Sequence, residues 1–131
     1  MREESYTYFA IIGNFRTLDI VQLLNMKPIT KWDIGDHGIY GNILDFARID
    51  LVKSNIDTLV LEEQAQEIVS LLKPKIPILQ EISQKYEVKY IIQTVGYLNE
   101  DGIPAISFGR DIIEFCYLTN SVIDCDLYDM R

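Results

Sequence analysis

The stretch SVIDCDLYDMR, Ser121–Arg131, places Asp124, Asp126 and Asp129 within six residues. Its reading decides the fold. If the aspartates converge on a metal or begin a phosphotransfer motif, the chain is a doubly wound enzyme. If they alternate with apolar residues, the stretch is the last strand of a half-exposed sheet. A period of two sets Asp124 and Asp126 on one face, about 6.6 Å apart at their bases, and Ile123, Cys125 and Leu127 on the other. Magnesium or calcium would demand further oxygen ligands. An EF-hand loop would require a glutamate well beyond Asp129, past Arg131. A phosphotransfer Asp-x-Asp belongs at the end of a first strand, with a helix following it. The stretch therefore reads as a strand, its apolar residues toward a core and its aspartates toward water, and no metal is expected. Arg48 and Lys89 take comparable outward positions on their strands, so cross-strand charge pairs are expected where those strands neighbour this one.

Working outward, Tyr6–Ile12 is a second aromatic and β-branched run, with Phe9 and Ile11 on one face and Tyr6 and Tyr8 on the other. Thr17–Met26 has Ile20, Leu23 and Leu24 at helical spacing, with Thr17 as N-cap and Pro28 closing the helix. Ile29–Ile34 predicts a short strand, Gly35–Asn42 (GDHGIYGN) a loop, and Phe46–Lys53 an alternating strand. Leu61–Leu72 is the clearest helix: Leu61, Ala65, Ile68, Val69 and Leu72 form one stripe. Pro74 stops it, and Pro77 opens a second helical segment carrying Ile78, Leu79 and Ile82. Val88–Leu98 reads as a strand, Asn99–Gly102 as a turn and Ala105–Phe108 as its hairpin partner. Arg110–Leu118 is a helix and Val122–Tyr128 the final strand. The order is β-α-β-β-α-β-β-α-β. Alternating strands predict an α+β fold, a single two-layer domain over residues 1–131 with a mostly antiparallel sheet and helices packed on one face.

Twelve Lys and Arg against twenty Asp and Glu leave a net charge of −8. Scattered basic residues argue against nucleic acid, and the charge disfavours acidic lipid surfaces. It suits a basic protein partner, and equally plain solubility. Apolar stretches fall short of a membrane span, and Met1-Arg2-Glu3-Glu4 opens without a signal-peptide core, so a cytoplasmic protein is expected. Cys116 and Cys125 form neither a disulfide framework nor a cysteine zinc site and are expected as small buried hydrophobes.

Several segments together carry a family likeness: YTYFAIIGNF (Tyr6–Phe15), LLNMKPIT (Leu23–Thr30), WDIGD (Trp32–Asp36), LEEQAQEIVSLLKPK (Leu61–Lys75) and PAISFGRDIIEFCYLTNSVIDCDLYD (Pro104–Asp129). Over nearly its whole length the chain resembles a bacterial family of domains of unknown function, the one numbered four-two-seven-nine. One departure is Ile49, where family members often carry a tryptophan opening the third strand. The resemblance implies a fold and no reaction. Small proteins of this sort are associated with immunity against bacterial toxins, which is an analogy only.

Three candidates for function remain. The first is an acidic, tyrosine-bearing face comprising Asp124, Asp126, Tyr128, Tyr6 and Tyr8, with Tyr90 also at an outward or rim position. Exposed tyrosines among carboxylates fit a non-catalytic protein-binding module, and tyrosine is also an ordinary strand residue. The second is Asp36 and His37 in the glycine-rich loop, which would serve an enzyme or small-ligand binder. Its spacing matches neither a P-loop nor a dinucleotide fingerprint, and turn-making is the competing role. The third is a homodimer built on an unpaired edge strand. No cofactor is implied, and the reading leans away from catalysis.

Overall fold

The computed structural model describes residues 5–56, 58–100 and 102–131; Met1–Glu4 and Asp101, part of the expected turn, lie outside the described residues. Alternation in the first strand, Tyr6–Asn14 (β1), sorts its residues between two environments. Thr7, Phe9 and Ile11 are buried, whereas Tyr6 and Tyr8 remain half-buried. The other strands are Thr30–Trp32 (β2), Ala47–Lys53 (β3), Glu87–Leu98 (β4) and Val122–Asp129 (β5). Helices are Thr17–Leu24 (α1), Leu61–Leu72 (α2), Ile76–Lys85 (α3) and Arg110–Thr119 (α4), with a 3₁₀ turn at Lys73–Lys75.

The strands form one sheet in the order β2-β3-β1-β4-β5. Every pairing is antiparallel except β4 with β5, which run parallel. Two parallel neighbours need a crossover, and α4 supplies it. Each helix contributes to one apolar layer: Ile20 and Leu24 from α1, Ile68 and Leu72 from α2, Leu79 and Ile82 from α3, Ile112 and Phe115 from α4. They meet Phe9, Ile11, Ile49, Leu51, Tyr90 and Ile92 of the sheet. Burying each large side chain contributes roughly 1.5–3 kcal/mol. The fold is thus the expected α+β arrangement, a mostly antiparallel sheet under a helical layer.

The hairpin partner expected at Ala105–Phe108 does not form. Asn99 and Gly102 exchange backbone hydrogen bonds at 3.2 Å, so the turn begins as predicted. The chain then leaves the sheet, because both edges of β4 are already taken by β1 and β5. Ala105 instead bridges beside the start of α2, donating to Leu59 O at 2.7 Å and accepting from Leu61 N at 3.0 Å.

Helix ends are set by partners as much as by local sequence. Thr17 is the first helical residue of α1 and not its N-cap. Its amide and hydroxyl donate to the Asp33 carboxylate at 2.8 and 2.9 Å, so a loop residue caps the helix from across the chain. Asn25 and Asn120 end α1 and α4 in the left-handed region, at φ of 52° and 56°. α2 ends at Leu72, before Pro74 as expected, and Pro74 sits in the 3₁₀ turn that joins α2 to α3. Buried Gln64 of α2 accepts from Thr7 Oγ1 at 3.0 Å and donates to Ser5 O and Ile56 O, so its amide is satisfied where it ties α2 to β1.

Two substitutions test this packing. A Cβ on Gly13 would lie 1.9 Å from the Glu87 carbonyl oxygen on β4. Gly13→Ala is expected to cost about 3 kcal/mol, because backbone and not a flexible side chain must move. Tyr90 buries its ring and donates its hydroxyl to Leu79 O at 2.6 Å. Tyr90→Phe is expected to lose about 1–2 kcal/mol in urea denaturation, the cost of the abandoned bond in a dry site.

Candidate functional site

Helices cover one side of the sheet, and the other side presents side chains to solvent. On β1 that open face carries Tyr6 and Tyr8. Register assigns the rest: Tyr6 pairs with Val95 and Tyr8 with Gln93 on β4, and Gln93, Val95 and Tyr97 pair with Asp124, Asp126 and Tyr128 on β5. On β3 the pairing passes from Phe9–Val52 to Ala10–Asp50, which leaves Leu51 as an extra residue. This bulge breaks the alternation: Leu51 and Val52 both reach the core, and Arg48, Asp50 and Lys53 reach the open face. Trp32 of β2 pairs with Arg48 and completes the row.

These residues make contacts on all five strands. The rings of Tyr6 and Tyr8 stack with centroids 6.1 Å apart, and Tyr97 stacks on Tyr128 at 5.6 Å. The Arg48 guanidinium lies over both Tyr8 and Trp32, 5.9 and 5.8 Å from their centroids. It also donates to Tyr8 OH at 3.2 Å and pairs with Asp50 at 3.0 Å. Lys53 Nζ sits 4.4 Å from the Tyr6 ring centre. Gln93 Nε2 donates to Asp126 Oδ2 at 3.0 Å. A cleft of about 360 Å³ opens between Tyr6, Tyr8, Ile29, Thr30, Asp50 and Lys53.

The expected residues Tyr6, Tyr8, Asp124, Asp126 and Tyr128 therefore share one surface. Tyr97 and Trp32 belong to the same row and were missed. The signal for Tyr97 lay in its two-residue spacing from Gln93 and Val95, masked because Tyr90, Ile91, Ile92 and Val95 put apolar residues on both faces of β4. Three expectations are corrected. Tyr90 faces the core, because it shares the parity of Ile92. Cys125 and Leu127 are exposed, Leu127 to 48%, and on β5 only Ile123 packs against the core. The reason is position, since an edge strand reaches past the helical cover. The charge pairs from Arg48 and Lys89 to the terminal aspartates also do not form. Two strands, β1 and β4, lie between Arg48 on β3 and β5, and the β4–β5 register begins at Ile91, beyond Lys89. Cys116 does pack against the core, and burial pushes its thiol up to about 11, away from nucleophilic chemistry.

Asp36 and His37 take separate partners. The Asp36 carboxylate accepts from Asp33 N at 2.8 Å, the turn-making role, while His37 Nδ1 lies 3.3 Å from Gly41 O. Both belong to a small hairpin, closed by bonds between Gly35 and Leu44 and between Gly38 and Asn42, with positive φ at Gly35 and Gly41. Beside it lies a second cleft of about 360 Å³, walled by Trp32, His37, Ile39, Tyr40 and Leu44. Among the described residues, no group of three or more His, Cys, Asp or Glu is placed to hold a metal ion.

Burial, reinforced by Tyr97, pushes Tyr6 up to about 12. Burial does the same to Tyr90, also to about 12, and raises Tyr8 against the opposing pull of Arg48. The unfolded chain ionises its tyrosines near 10.0. A raised folded value means the neutral phenol is favoured in the fold. The stabilisation is therefore full below pH 10 and is lost as pH rises toward 12. Urea midpoints are expected to fall across that window, and Tyr6→Phe to flatten the fall. Phenolate absorbance should show a late-titrating fraction that shrinks in the same variant.

Residues 3–130 match the family described as Domain of unknown function (DUF4279). No curated protein and no solved structure matches the chain. A match spanning almost the entire sequence means that the chain belongs to the DUF4279 family.

Proposed function

We propose that this protein is a non-catalytic protein-binding module that acts through the open face of its sheet. The observation that carries the reading is the continuous row of Trp32, Tyr8, Tyr6, Tyr97 and Tyr128, flanked on β5 by Asp124 and Asp126. Amphipathic aromatic rings held rigidly on a sheet offer large contact area with little entropy left to lose. Two cations of the face are engaged, Arg48 by Asp50 and two rings and Lys53 by Tyr6, and exposed Lys89 lies before Ile91, where the β4–β5 pairing begins. Beside Tyr128 on β5 the accessible charge is thus the pair of aspartates, which fits a basic partner and matches the net charge of −8. Neutralising a toxin is a specific case, in which Asp124 and Asp126 would meet basic active-site groups.

A second reading uses the cleft beside His37, where a small apolar ligand would rest on Trp32 and Leu44. Trp32 is the sole tryptophan, so a bound ligand would register in its fluorescence and His37→Ala would abolish the response.

The binding reading is tested by capture from the host lysate with the wild-type protein and with Tyr8→Ala, Tyr128→Ala and Asp124→Asn/Asp126→Asn variants. One stoichiometric basic protein should be retained by the wild type at moderate salt and lost at high salt. Each variant should lose at least about tenfold in affinity for it. A partner held equally by all three variants would remove the face from the account.

A further inference from the structure

The face ends at β5, whose outer edge carries a second feature. Among the described residues no strand pairs with that edge over the eight residues Val122–Asp129. Alternate backbone N–H and C=O groups of an edge strand point outward, ready to pair with another chain. The opposite edge of the sheet differs, since β2 spans only Thr30–Trp32. Val122, Leu127 and Tyr128 are 42%, 48% and 49% exposed, so β5 also offers apolar surface on both sides of the sheet.

The side chains select what pairs there. Asp124 and Asp126 stand on the open side, and Asp126 gives one oxygen to Gln93. The Asp124 carboxylate makes no hydrogen bond or ion pair with the described residues. On the helical side Ile123, Cys125 and Leu127 present apolar or weakly polar surface. A second copy is a poor occupant. Antiparallel self-pairing centred on Cys125 sets Asp124 opposite Asp126 of the second copy. Shifting the register by two residues either way sets Asp124 or Asp126 against itself. Like charges directly opposite destabilise a sheet, whereas Lys or Arg opposite each aspartate stabilises it.

We infer that the outer edge of β5 receives an extended segment of a protein partner as a sixth strand, one that alternates Lys or Arg with apolar residues. This rests on the protein-binding reading above and adds its geometry. Backbone pairing supplies the affinity, Asp124 and Asp126 select basic side chains on the open side, and Ile123, Cys125 and Leu127 select apolar ones beneath.

The probe is a short capped peptide alternating lysine with valine, titrated into the isotope-labelled protein. Binding should slow amide exchange at alternate β5 residues by about tenfold or more. Asp124→Asn/Asp126→Asn should weaken it by about fivefold or more, with far-UV circular dichroism confirming that the variant is folded. The same peptide N-methylated at every residue keeps its charge and side chains but has no N–H left to donate along either edge, and should fail to bind. Equal binding of the methylated peptide would overturn strand addition while leaving the face reading in place. So would equal binding of a peptide with glutamate for lysine, or no protection of β5 by the unmodified peptide. Protection of β5 already present in a concentration-dependent dimer would assign the edge to a second copy and overturn the proposal. Tyr8→Ala, remote from the edge, should leave peptide binding unchanged. Loss of native-partner capture in that variant, beside retained peptide binding, separates the two readings.

Discussion

Phe9 lies at the centre of the buried layer, its ring centroid 5.7 Å from Tyr90 and 6.0 Å from Phe115. This aromatic cluster joins β1, β4 and α4, and it fixes which side of every strand faces inward. Side chains alternate along a strand, so fixing Phe9 inward also fixes Thr7 and Ile11 inward and Tyr6 and Tyr8 outward. A slip of one residue would bring two tyrosines beneath the helices and expose Phe9. Pairing then transmits the choice across the sheet: Tyr8 to Gln93, Gln93 to Asp124, and so to the outward aspartates of β5. The surface chemistry is in this sense a consequence of the core.

Among the described residues, the bulge on β3 is the one place where the strand register shifts and that alternation is broken. Leu51 and Val52 both turn toward the apolar layer, and Lys53 emerges over Tyr6. Regular alternation would have taken Lys53 to the helical side, where its charge would need a partner or solvent. The bulge thus fills the core from two successive residues and adds a cation to the aromatic row. Arg48, two residues before Asp50, is held by that carboxylate and by two rings, an arrangement that suits a planar guanidinium. At 22% and 23% side-chain exposure the ion pair orients the residues more than it stabilises the fold.

Helix α2 was legible in full because its apolar stripe, its acidic first turn and its exit all agree. Tyr6 and Tyr8 were legible because Phe9 and Ile11 give β1 an unambiguous period. Tyr90 was not, since Tyr90, Ile91, Ile92 and Val95 offer either face a plausible apolar set, and only contact with Leu79 and Phe9 breaks the tie. The parallel β4–β5 pairing was hidden by the turn at Asn99 and Gly102, which is sound chemistry for a hairpin that the occupied edges of β4 forbid. Cys125 and Leu127 misled for a related reason. Their period announces an inward face, but period says nothing of whether a helix extends far enough to cover it.

That last distinction bears on how an open edge of this kind can resist pairing with its own kind. A long edge strand with exposed apolar residues invites uncontrolled pairing, and proteins commonly blunt such edges with charge. Here Asp124 and Asp126 alternate with Ile123, Cys125 and Leu127. In the self-pairing registers that overlap most and keep both open faces on one side, they bring carboxylates face to face. On the proposed reading, the same two charges that oppose pairing with another copy would favour a basic strand, so one arrangement would serve both ends. An edge protected by proline or covered by a loop would have been closed to every partner. An edge protected by charge of one sign stays closed to its own kind and open to its complement.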